Sequence, residues 1–283
     1  MNQVEKQLFN IISNHKMKEY PGIIEQAEDD SLLYNLSPIR GNIVRILDSF
    51  CVSDNKKILE WDAGYGAVTG ALLDLGCYVT SVVSDDDQRL ILKTRIEKDS
   101  YEQWNHLEIM LYADMDSLEE RFDYIVISDL MVESTDKIEQ MLAFFKKHLN
   151  VGGKIIIGAD NKYGLKYFAG CKDRFTNDYF SALEGYVEHD GYRMFSLNEL
   201  ERSVKHVGLK VVQLLFPYPD HRYTFELFSE QRMPVKGELN INLRNFWEDR
   251  VLCFDETRAF DTIIADDKFR DFSNSYLFVI EAE

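Results

Sequence analysis

The sequence is short of positive charge. Its 283 residues include 32 lysines and arginines against 49 aspartates and glutamates, which gives a formal net charge of −17 at pH 7. Nucleic acids and anionic membranes favour basic surfaces, because lysine and arginine release the counterions of phosphate groups. The longest basic run, Lys146-Lys147-His148, has the pattern of a helix C-terminus. We therefore expect neither a nucleic acid nor a membrane as partner.

Long apolar runs and paired cysteines are also missing. No apolar run approaches the roughly 18 residues of a membrane-spanning helix, and the N-terminal segment lacks the apolar centre of a signal peptide. The four cysteines form no C-x-x-C pair, so neither a zinc site nor a disulfide framework is indicated: Cys51, Cys77, Cys171 and Cys253. We expect reduced cysteines, no metal and a cytoplasmic location.

The most informative stretch runs from Lys56 to Ser84. Apolar Ile58 and Leu59 predict a strand, a turn with two glycines and a helical pattern follow, and residues 78–83 predict a second strand. This order is typical of the βαβ unit of a parallel sheet. Glycines let a ligand approach the backbone, and the following helix offers free N–H groups. We expect the loop from Glu60 to Gly66 to bind a nucleotide-like cofactor.

The rest of the chain continues the alternation of helices and strands. Further strands are predicted at residues 107–111, 122–128, 154–158, 209–216 and 275–281, and helices at 4–15, 38–47, 88–98, 137–149 and 196–206. The predicted fold is α/β: a Rossmann-like, doubly wound sheet of seven strands, with the last strand antiparallel beside the sixth. The predicted domains are an N-terminal helical cap (1–50), an α/β domain (51–216 and 274–283), and an insertion (217–273) that caps the pocket or binds a protein partner.

Three segments resemble a known family. The loop Glu60-Trp61-Asp62-Ala63-Gly64-Tyr65-Gly66 resembles motif I of class I S-adenosyl-L-methionine (SAM) methyltransferases, an acidic strand end followed by G-x-G-x-G. Residues 160–170, DNKYGLKYFAG, resemble the E-N-x-x-G-L-K-Y-x-A-G segment of bacterial methyltransferases often associated with surface-polysaccharide glycosyltransferases. Residues 36–40, LSPIR, resemble the L-S-P-x-R helix start of the same family. The dinucleotide fingerprint G-x-G-x-x-G fits less well, because Gly70 comes one position late.

The resemblance implies a cofactor, a reaction and a set of residues. The cofactor is SAM, and the reaction is methyl transfer to a hydroxyl of a small or carbohydrate-like acceptor. Asp160 and Asn161 are expected near the acceptor, with Asp160 as an assisting base. Met115 is expected to offer its backbone N–H to the adenine. The residues expected at the cofactor are Glu60, Asp62, Gly64, Gly66, Asp85, Asp114 and Met115.

Three positions depart from the family pattern. Asp62 replaces the first glycine of motif I, and its charge would either repel the methionine carboxylate of SAM or attract the sulfonium or amino group. Val83 stands where an acidic residue normally accepts hydrogen bonds from the ribose hydroxyls. Asp85 is the candidate substitute, which requires a shift of the loop; the preferred interpretation of Asp85-Asp86-Asp87 is three solvated acids at a helix N-terminus, stabilised by the helix dipole. Arg174-Phe175 replaces an Asp-His pair of the family.

These departures keep a second function open. The alternative to an active methyltransferase is a catalytically inactive protein of the same fold, which serves as a binding or scaffold subunit of a biosynthetic complex. Two His–Asp neighbours are further candidates for a catalytic pair, although each is more typical of an exposed loop: His189 with Asp190, and His221 with Asp220.

Overall fold

The chain divides into two compact units. Unit 1 is Met1–Ile127 with His148–Gly153, and unit 2 is Ser128–Lys147 with Lys154–Glu283. Cys51, the predicted boundary between residues 50 and 51, and residues 242–250 of the predicted insertion lie outside the described residues. The computed structural model describes residues 1–27, 29–49, 55–99, 104–187, 189–241 and 251–282.

Unit 1 begins with helices and continues as alternating strands and helices. In chain order these are α1 (Gln3–Asn14), α2 (Tyr20–Ala27), α3 (Asp30–Leu36), α4 (Ile46–Ser49), β1 (Lys57–Trp61), α5 (Thr69–Leu73), β2 (Tyr78–Val83), α6 (Asp86–Lys98), β3 (Leu107–Leu111) and β4 (Phe122–Ile127). Short 3-10 helices lie at Met17–Glu19, Pro38–Arg45, Trp104–His106 and Tyr112–Ser117.

Unit 2 contains most of the remaining elements. In chain order these are α7 (Thr135–Lys147), β5 (Leu149–Asp160), α8 (Leu165–Phe168), α9 (Leu197–His206), β6 (Leu209–Tyr218), β7 (Glu226–Ser229), α10 (Glu256–Ala265), α11 (Phe269–Phe272) and β8 (Ser275–Ala282). Strand β5 begins in unit 1 and ends in unit 2. In the described part of the chain, no helix is both long and apolar enough to cross a lipid bilayer.

The strands form an eight-stranded sheet in the order β3-β2-β1-β4-β5-β8-β6-β7. In unit 1, β1 pairs in parallel with β2 and β4, and β2 pairs in parallel with β3. In unit 2, β8 is antiparallel to both β5 and β6, and β7 is antiparallel to β6. The predicted antiparallel pairing of the last strand with the sixth is confirmed. The sheet has eight strands rather than seven, because β7 lies within the segment predicted as an insertion.

The central strands are apolar on both faces, as expected where both sides of a sheet are covered. Ile125 and Val126 of β4, and Leu277 and Val279 of β8, are at most 1% exposed. Each such side chain contributes about 1.5–3 kcal/mol when it leaves water. These continuous apolar runs account for the agreement between the predicted and observed positions of both strands.

The N-terminal helices pack beside the predicted cofactor loop. Leu8 of α1, Leu36 of α3 and Ile91 of α6 are fully buried in one cluster, and Tyr65 of the loop packs against it. The Tyr65 hydroxyl also donates a hydrogen bond to Glu5 Oε1 at 3.3 Å. The helical segment therefore contacts the loop itself.

The predicted helix start at Ser37 is confirmed, with a different helix type. The Ser37 hydroxyl oxygen accepts a hydrogen bond from the backbone N–H of Ile39 at 3.4 Å, and a proline follows at the first helical position. Pro38–Arg45 is a 3-10 helix that leads into α4. A side chain at Gly41 would place its Cβ 2.8 Å from the Cβ of Ala71. A glycine therefore lets the 3-10 helix lie directly against α5.

Unit 2 contains a buried group of charges that follows β5 and β6. Lys166 of α8 and Arg222 both donate hydrogen bonds to Asp220 Oδ2, at 3.2 and 2.6 Å. The other oxygen, Oδ1, accepts from the backbone N–H groups of Arg222 and Tyr223 at 2.9 and 3.2 Å. Asp220 is 0% exposed. Burial alone raises the pKa of Asp220, but the charges of Arg222 and Lys166 outweigh it and hold the pKa well below its usual range.

We expect Asp220→Asn to lower the free energy of unfolding at pH 7 by about 3–5 kcal/mol, because the new NH₂ group faces two buried cations. A lowered folded-state pKa contributes stability above the unfolded value of about 3.9, and that contribution is lost as the pH falls through the folded value. The difference between the wild type and the variant should therefore stay constant down to about pH 4.5 and shrink below that.

Urea unfolding across this pH range measures both effects. The matched control is Asp116→Asn, since Asp116 is exposed, and its change should stay within about 0.5 kcal/mol. Equal, small effects of the two substitutions would contradict a stabilising role for the paired Asp220 carboxylate.

Candidate functional site

The loop after β1 has an unusual backbone. Asp62, Gly64 and Gly66 have φ angles of +56°, +53° and +78°, all in the left-handed region. The loop is held by a hydrogen bond from the backbone N–H of Ala63 to the carbonyl of Val82, at 2.9 Å. Aspartate is among the few non-glycine residues that visit this region. Asp62 therefore adopts a conformation that the glycine of motif I would adopt without strain.

The two glycines of the loop serve different purposes. A side chain at Gly64 would meet no atom of the described residues within 4 Å, so this part of the loop borders open space. A Cβ at Gly66 would lie 3.0 Å from Leu92 Cγ, so Gly66 permits close packing against α6. The predicted approach of a ligand to the backbone is therefore sterically open at Gly64.

Glu60 lies under the loop at the carboxyl end of β1. It is 1% exposed, and its Oε2 accepts hydrogen bonds from the hydroxyls of Thr69 (2.7 Å) and Ser81 (2.6 Å). Burial raises the pKa of Glu60, against the opposing effect of both hydroxyls and of the nearby charges of Arg95 and Arg40. These hydrogen bonds connect β1 to α5 and β2 beneath the loop after β1.

Val83 and Asp85 occupy the end of β2, where the family pattern has a ribose-binding acid. Val83 is fully buried, so its side chain belongs to the core. Asp85 is exposed and caps α6: its Oδ1 accepts from the backbone N–H groups of Asp87 and Gln88 at 3.0 and 2.9 Å. Its Oδ2 accepts from the Ser84 hydroxyl at 2.9 Å. The Gln88 N–H is the main cause that lowers the pKa of Asp85. Asp85 thus has the role that its place at a helix N-terminus indicated, and its contact with a ribose stays a prediction.

Asp114 and Met115 follow β3 in the 3-10 helix Tyr112–Ser117. The Asp114 carboxylate is exposed and lies 3.8 Å from the guanidinium of Arg89. Met115 is buried, and its carbonyl accepts from the backbone N–H of Leu118 at 3.1 Å. Both residues therefore follow a strand of the same parallel set as β1, and their predicted contact with adenine stays a prediction.

The carboxylate of Asp160, at the end of β5, is buried among positive charges. Oδ1 accepts from Lys166 Nζ at 2.7 Å, from the Tyr167 hydroxyl at 3.0 Å and from Arg222 Nη2 at 3.3 Å, while Oδ2 lies 3.4 Å from Arg174 Nη1. Burial raises the pKa of Asp160, but Arg222 and Lys166 outweigh it and lower the pKa. The carboxylate is therefore ionised at neutral pH, and it is a weak base.

The side chain of Asn161 forms hydrogen bonds with backbone groups of neighbouring segments. It is 0% exposed, and its Nδ2 donates to the carbonyls of Asp271 and Ser273 at 2.9 and 2.8 Å. Its Oδ1 accepts from the backbone N–H of Tyr163 at 3.0 Å. In this arrangement the side chain connects the end of β5 to the segment before β8. Its predicted place near the acceptor stays a prediction.

His221 forms a buried pair with Asp129 rather than with the predicted partner, Asp220. The ring nitrogen His221 Nε2 lies 2.8 Å from Asp129 Oδ1, and Nδ1 lies 3.0 Å from the Ser275 hydroxyl. Asp220, the sequence neighbour, is instead bound to Lys166 and Arg222. The pairing partner comes from the residues after β4, which adjacency in the sequence could not reveal.

Arg174 contacts the same group of buried residues. Its Nη1 donates to both carboxylate oxygens of Asp129, at 2.7 and 2.9 Å. One ligand atom from each of Asp129, Asp160 and His221 lies within 4.8 Å of the others, a spacing that would suit a metal ion. However, these carboxylates already accept hydrogen bonds from arginine and lysine. A metal cation would have to compete with those charges, so the arrangement fits a charge-balanced core better than a metal centre.

Arg40 is a residue of the site region to which the sequence assigned no role. It lies in the 3-10 helix Pro38–Arg45, is 5% exposed, and places its guanidinium 3.9 Å from the centre of the Tyr34 ring. Its Nε and Nη1 atoms are buried without a hydrogen-bond partner among the described residues. The only sequence signal was the final position of the LSPIR segment.

No family model and no curated protein matches the sequence. Solved structures do match. The glycopeptide N-methyltransferase MtfA has a TM-score of 0.53 at 13% identity, over 86% of this chain and 96% of MtfA. The CcbJ methyltransferase from Streptomyces caelestis has a TM-score of 0.51 at 16% identity, over 87% of this chain and 96% of CcbJ. The mitomycin 7-O-methyltransferase MmcR has a TM-score of 0.50 at 12% identity, over 94% of this chain but 59% of MmcR.

MtfA has also been solved with SAM and with sinefungin. Identities this low establish a shared architecture, and fold alone does not assign a reaction. The eight-stranded sheet, the loop after β1 and these matches agree on one architecture. The chain has the Rossmann-like fold of class I SAM-dependent methyltransferases.

Proposed function

We propose that the protein is a SAM-dependent methyltransferase. The observation that carries this proposal is the backbone of the loop after β1. Asp62, Gly64 and Gly66 alternate in the left-handed region even though the first of them is not glycine. A non-glycine residue in this region persists only where the surrounding structure holds it there. The hydrogen bond of Ala63 to Val82 and those of Glu60 hold the loop in this conformation, and Gly64 leaves it open to a ligand.

The residues of unit 1 fit the cofactor. Gly64 borders open space, so the backbone is accessible there. The N-terminus of α6 follows β2, and β2 and β3 belong to the same parallel set of strands as β1. Ligands of such sheets bind at the carboxyl ends of the strands. SAM would supply a methyl group carried on a positively charged sulfur. The protein's own part is to hold the acceptor in line with that methyl group, and orientation alone accounts for a large share of the rate.

We propose a hydroxyl of a small or carbohydrate-like molecule as the acceptor. MtfA and MmcR are named for glycopeptide and mitomycin substrates, and MmcR is an O-methyltransferase. Unit 2 has an open hollow lined by Phe175, Tyr186, Asp178, Glu184 and His189, among others. Aromatic faces beside carboxylates can contact both the apolar rings and the hydroxyls of such molecules. Asp160 and Asn161 remain the proposed acceptor-side residues.

One observation favours the second candidate, an inactive binding or scaffold subunit. The polar atoms of Asp160 and Asn161 are committed to internal hydrogen bonds, and Asp160 is a weak base. A methyltransferase that activates its acceptor through these two residues would have to release them first. A scaffold protein would need no such release.

Titration calorimetry with S-adenosylhomocysteine, the demethylated product, separates the two candidates. The methyltransferase proposal predicts one binding site with a Kd in the micromolar range, which corresponds to about −8 kcal/mol. Bovine serum albumin at the same concentration is the control for non-specific heat. A lack of binding at millimolar ligand would contradict the methyltransferase proposal and support the scaffold.

The charge of Asp62 can be tested with two substitutions. Asp62→Gly removes both the side chain and the strain, whereas Asp62→Asn removes the charge and keeps a residue that tolerates the left-handed region. If the carboxylate repels the methionine carboxylate, both variants should bind S-adenosylhomocysteine about tenfold more tightly, a gain of about 1.4 kcal/mol.

Asp62→Ala is the matched control for this pair, since alanine removes the charge but disfavours the left-handed region. It should lower the free energy of unfolding by about 1 kcal/mol relative to Asp62→Gly. Unchanged or weaker binding by both Asp62→Gly and Asp62→Asn would show that the carboxylate does not repel the ligand.

A further inference from the structure

Arg40 carries a buried positive charge whose hydrogen bonds are incomplete. The side chain is 5% exposed, and Nε and Nη1 find no acceptor among the described residues. Its described partner is the face of the Tyr34 ring, 3.9 Å from the guanidinium. A cation–π contact stabilises the charge but leaves the in-plane N–H groups free. Buried N–H groups of a charged side chain are costly without an acceptor, so the site has the chemistry of an anion receptor.

A second buried arginine acts on the same carboxyl group as Arg40. The charges of both Arg95 and Arg40 act on the buried carboxyl group of Glu60. Arg95 Nη1 donates to the carbonyls of Asn35 and Tyr65, at 2.7 and 3.2 Å. Two buried arginines therefore act on the buried carboxyl group of Glu60.

The 3-10 helix brings this charge to the cofactor loop. Gly41, next to Arg40, packs directly on α5 through Ala71. Helix α5 begins at Thr69, only three positions after Gly66, and the Thr69 hydroxyl donates to Glu60. Arg40 is therefore placed beside the carboxyl end of β1, within unit 1, next to the loop in which Asp62 contributes a negative charge.

We propose that Arg40 binds the carboxylate of the amino-acid end of SAM. A guanidinium presents its N–H groups in a planar fork that matches the two oxygens of a carboxylate. This assignment rests on the proposed function, and it explains how a site with Asp62 in place of glycine accepts a negatively charged group. Arg40 would supply the compensating charge from the helical segment that precedes β1.

The test compares two ligands that differ at the proposed contact. S-adenosylhomocysteine carries the amino-acid carboxylate, whereas 5′-methylthioadenosine has the same adenosine and thioether sulfur without the amino-acid group. Calorimetry on the full chain should show that Arg40→Leu weakens S-adenosylhomocysteine binding about 100-fold. Binding of 5′-methylthioadenosine should change by less than about twofold, because that ligand does not reach Arg40.

Two further variants keep the test specific. Arg40→Lys retains the charge without the planar fork and should lose only about tenfold. Arg45→Leu removes an exposed arginine of the same 3-10 helix, which is bonded to Asn42, and should bind both ligands as the wild type does. Circular dichroism verifies that Arg40→Leu is folded before its ligand binding is compared with that of the wild type.

Each outcome decides a separate question. If the wild type binds S-adenosylhomocysteine and Arg40→Leu binds it equally well, the carboxylate assignment is wrong while the proposed function stands. If Arg40→Leu weakens both ligands to the same extent, Arg40 acts on the fold of the site and the assignment is again wrong. If the wild type binds neither ligand, the proposed function and this inference both fail.

Discussion

The left-handed backbone of residues 62–66 is the constraint on which the account of this protein depends. Three residues in that loop have positive φ angles. A hydrogen bond from Ala63 to Val82 and the packing of Gly66 on α6 hold the loop in place. Glu60 lies beneath this loop and accepts hydrogen bonds from Thr69 of α5 and Ser81 of β2. Because the loop is held from below, Asp62 can replace a glycine without changing the path of the chain. The loop after β1 therefore keeps the backbone of a glycine-bearing turn although Asp62 stands in it.

Buried charges have different partners in the two units. In unit 2, the buried carboxylates of Asp129, Asp160 and Asp220 all accept hydrogen bonds from arginine or lysine. Removal of one member of such a network strongly destabilises the fold, because it leaves a buried charge without its partner. In unit 1, Nε and Nη1 of Arg40 have no acceptor among the described residues. These carboxylates of unit 2 are satisfied within the protein, whereas the two N–H groups of Arg40 are the basis of the proposed anion contact.

Local patterns predicted much of the fold. The apolar runs of β4 and β8, the helix start at Ser37 and the glycine turn after β1 are all local features, and the structure has them where the sequence indicated. Strand β7 was missed because its four residues, Glu226–Ser229, form a strand only through their pairing with β6. The type of helix at Pro38–Arg45 was also missed, since its close packing on α5 depends on residues distant in the sequence.

The site could be predicted only in part, for a related reason. Positive φ at Asp62 was foreseeable from the motif, as was the capping role of Asp85 at a helix N-terminus. The pairing of His221 with Asp129, rather than with its neighbour Asp220, joins two residues of unit 2 that are 92 positions apart in the sequence. The lack of an acceptor for Arg40 Nε and Nη1 among the described residues likewise depends on what surrounds the side chain in space. Sequence patterns indicate which residue types are present, and only the fold shows which of them are already satisfied.

The most direct measurement is a crystal structure of the protein grown with S-adenosylhomocysteine. The account predicts that the ligand lies across Gly64, that Asp62 keeps its positive φ angle, and that the ligand carboxylate lies about 3 Å from the guanidinium nitrogens of Arg40. A ligand carboxylate directed away from Arg40 would contradict the role of that residue. Crystals that exclude the ligand at millimolar concentration would contradict the cofactor site itself.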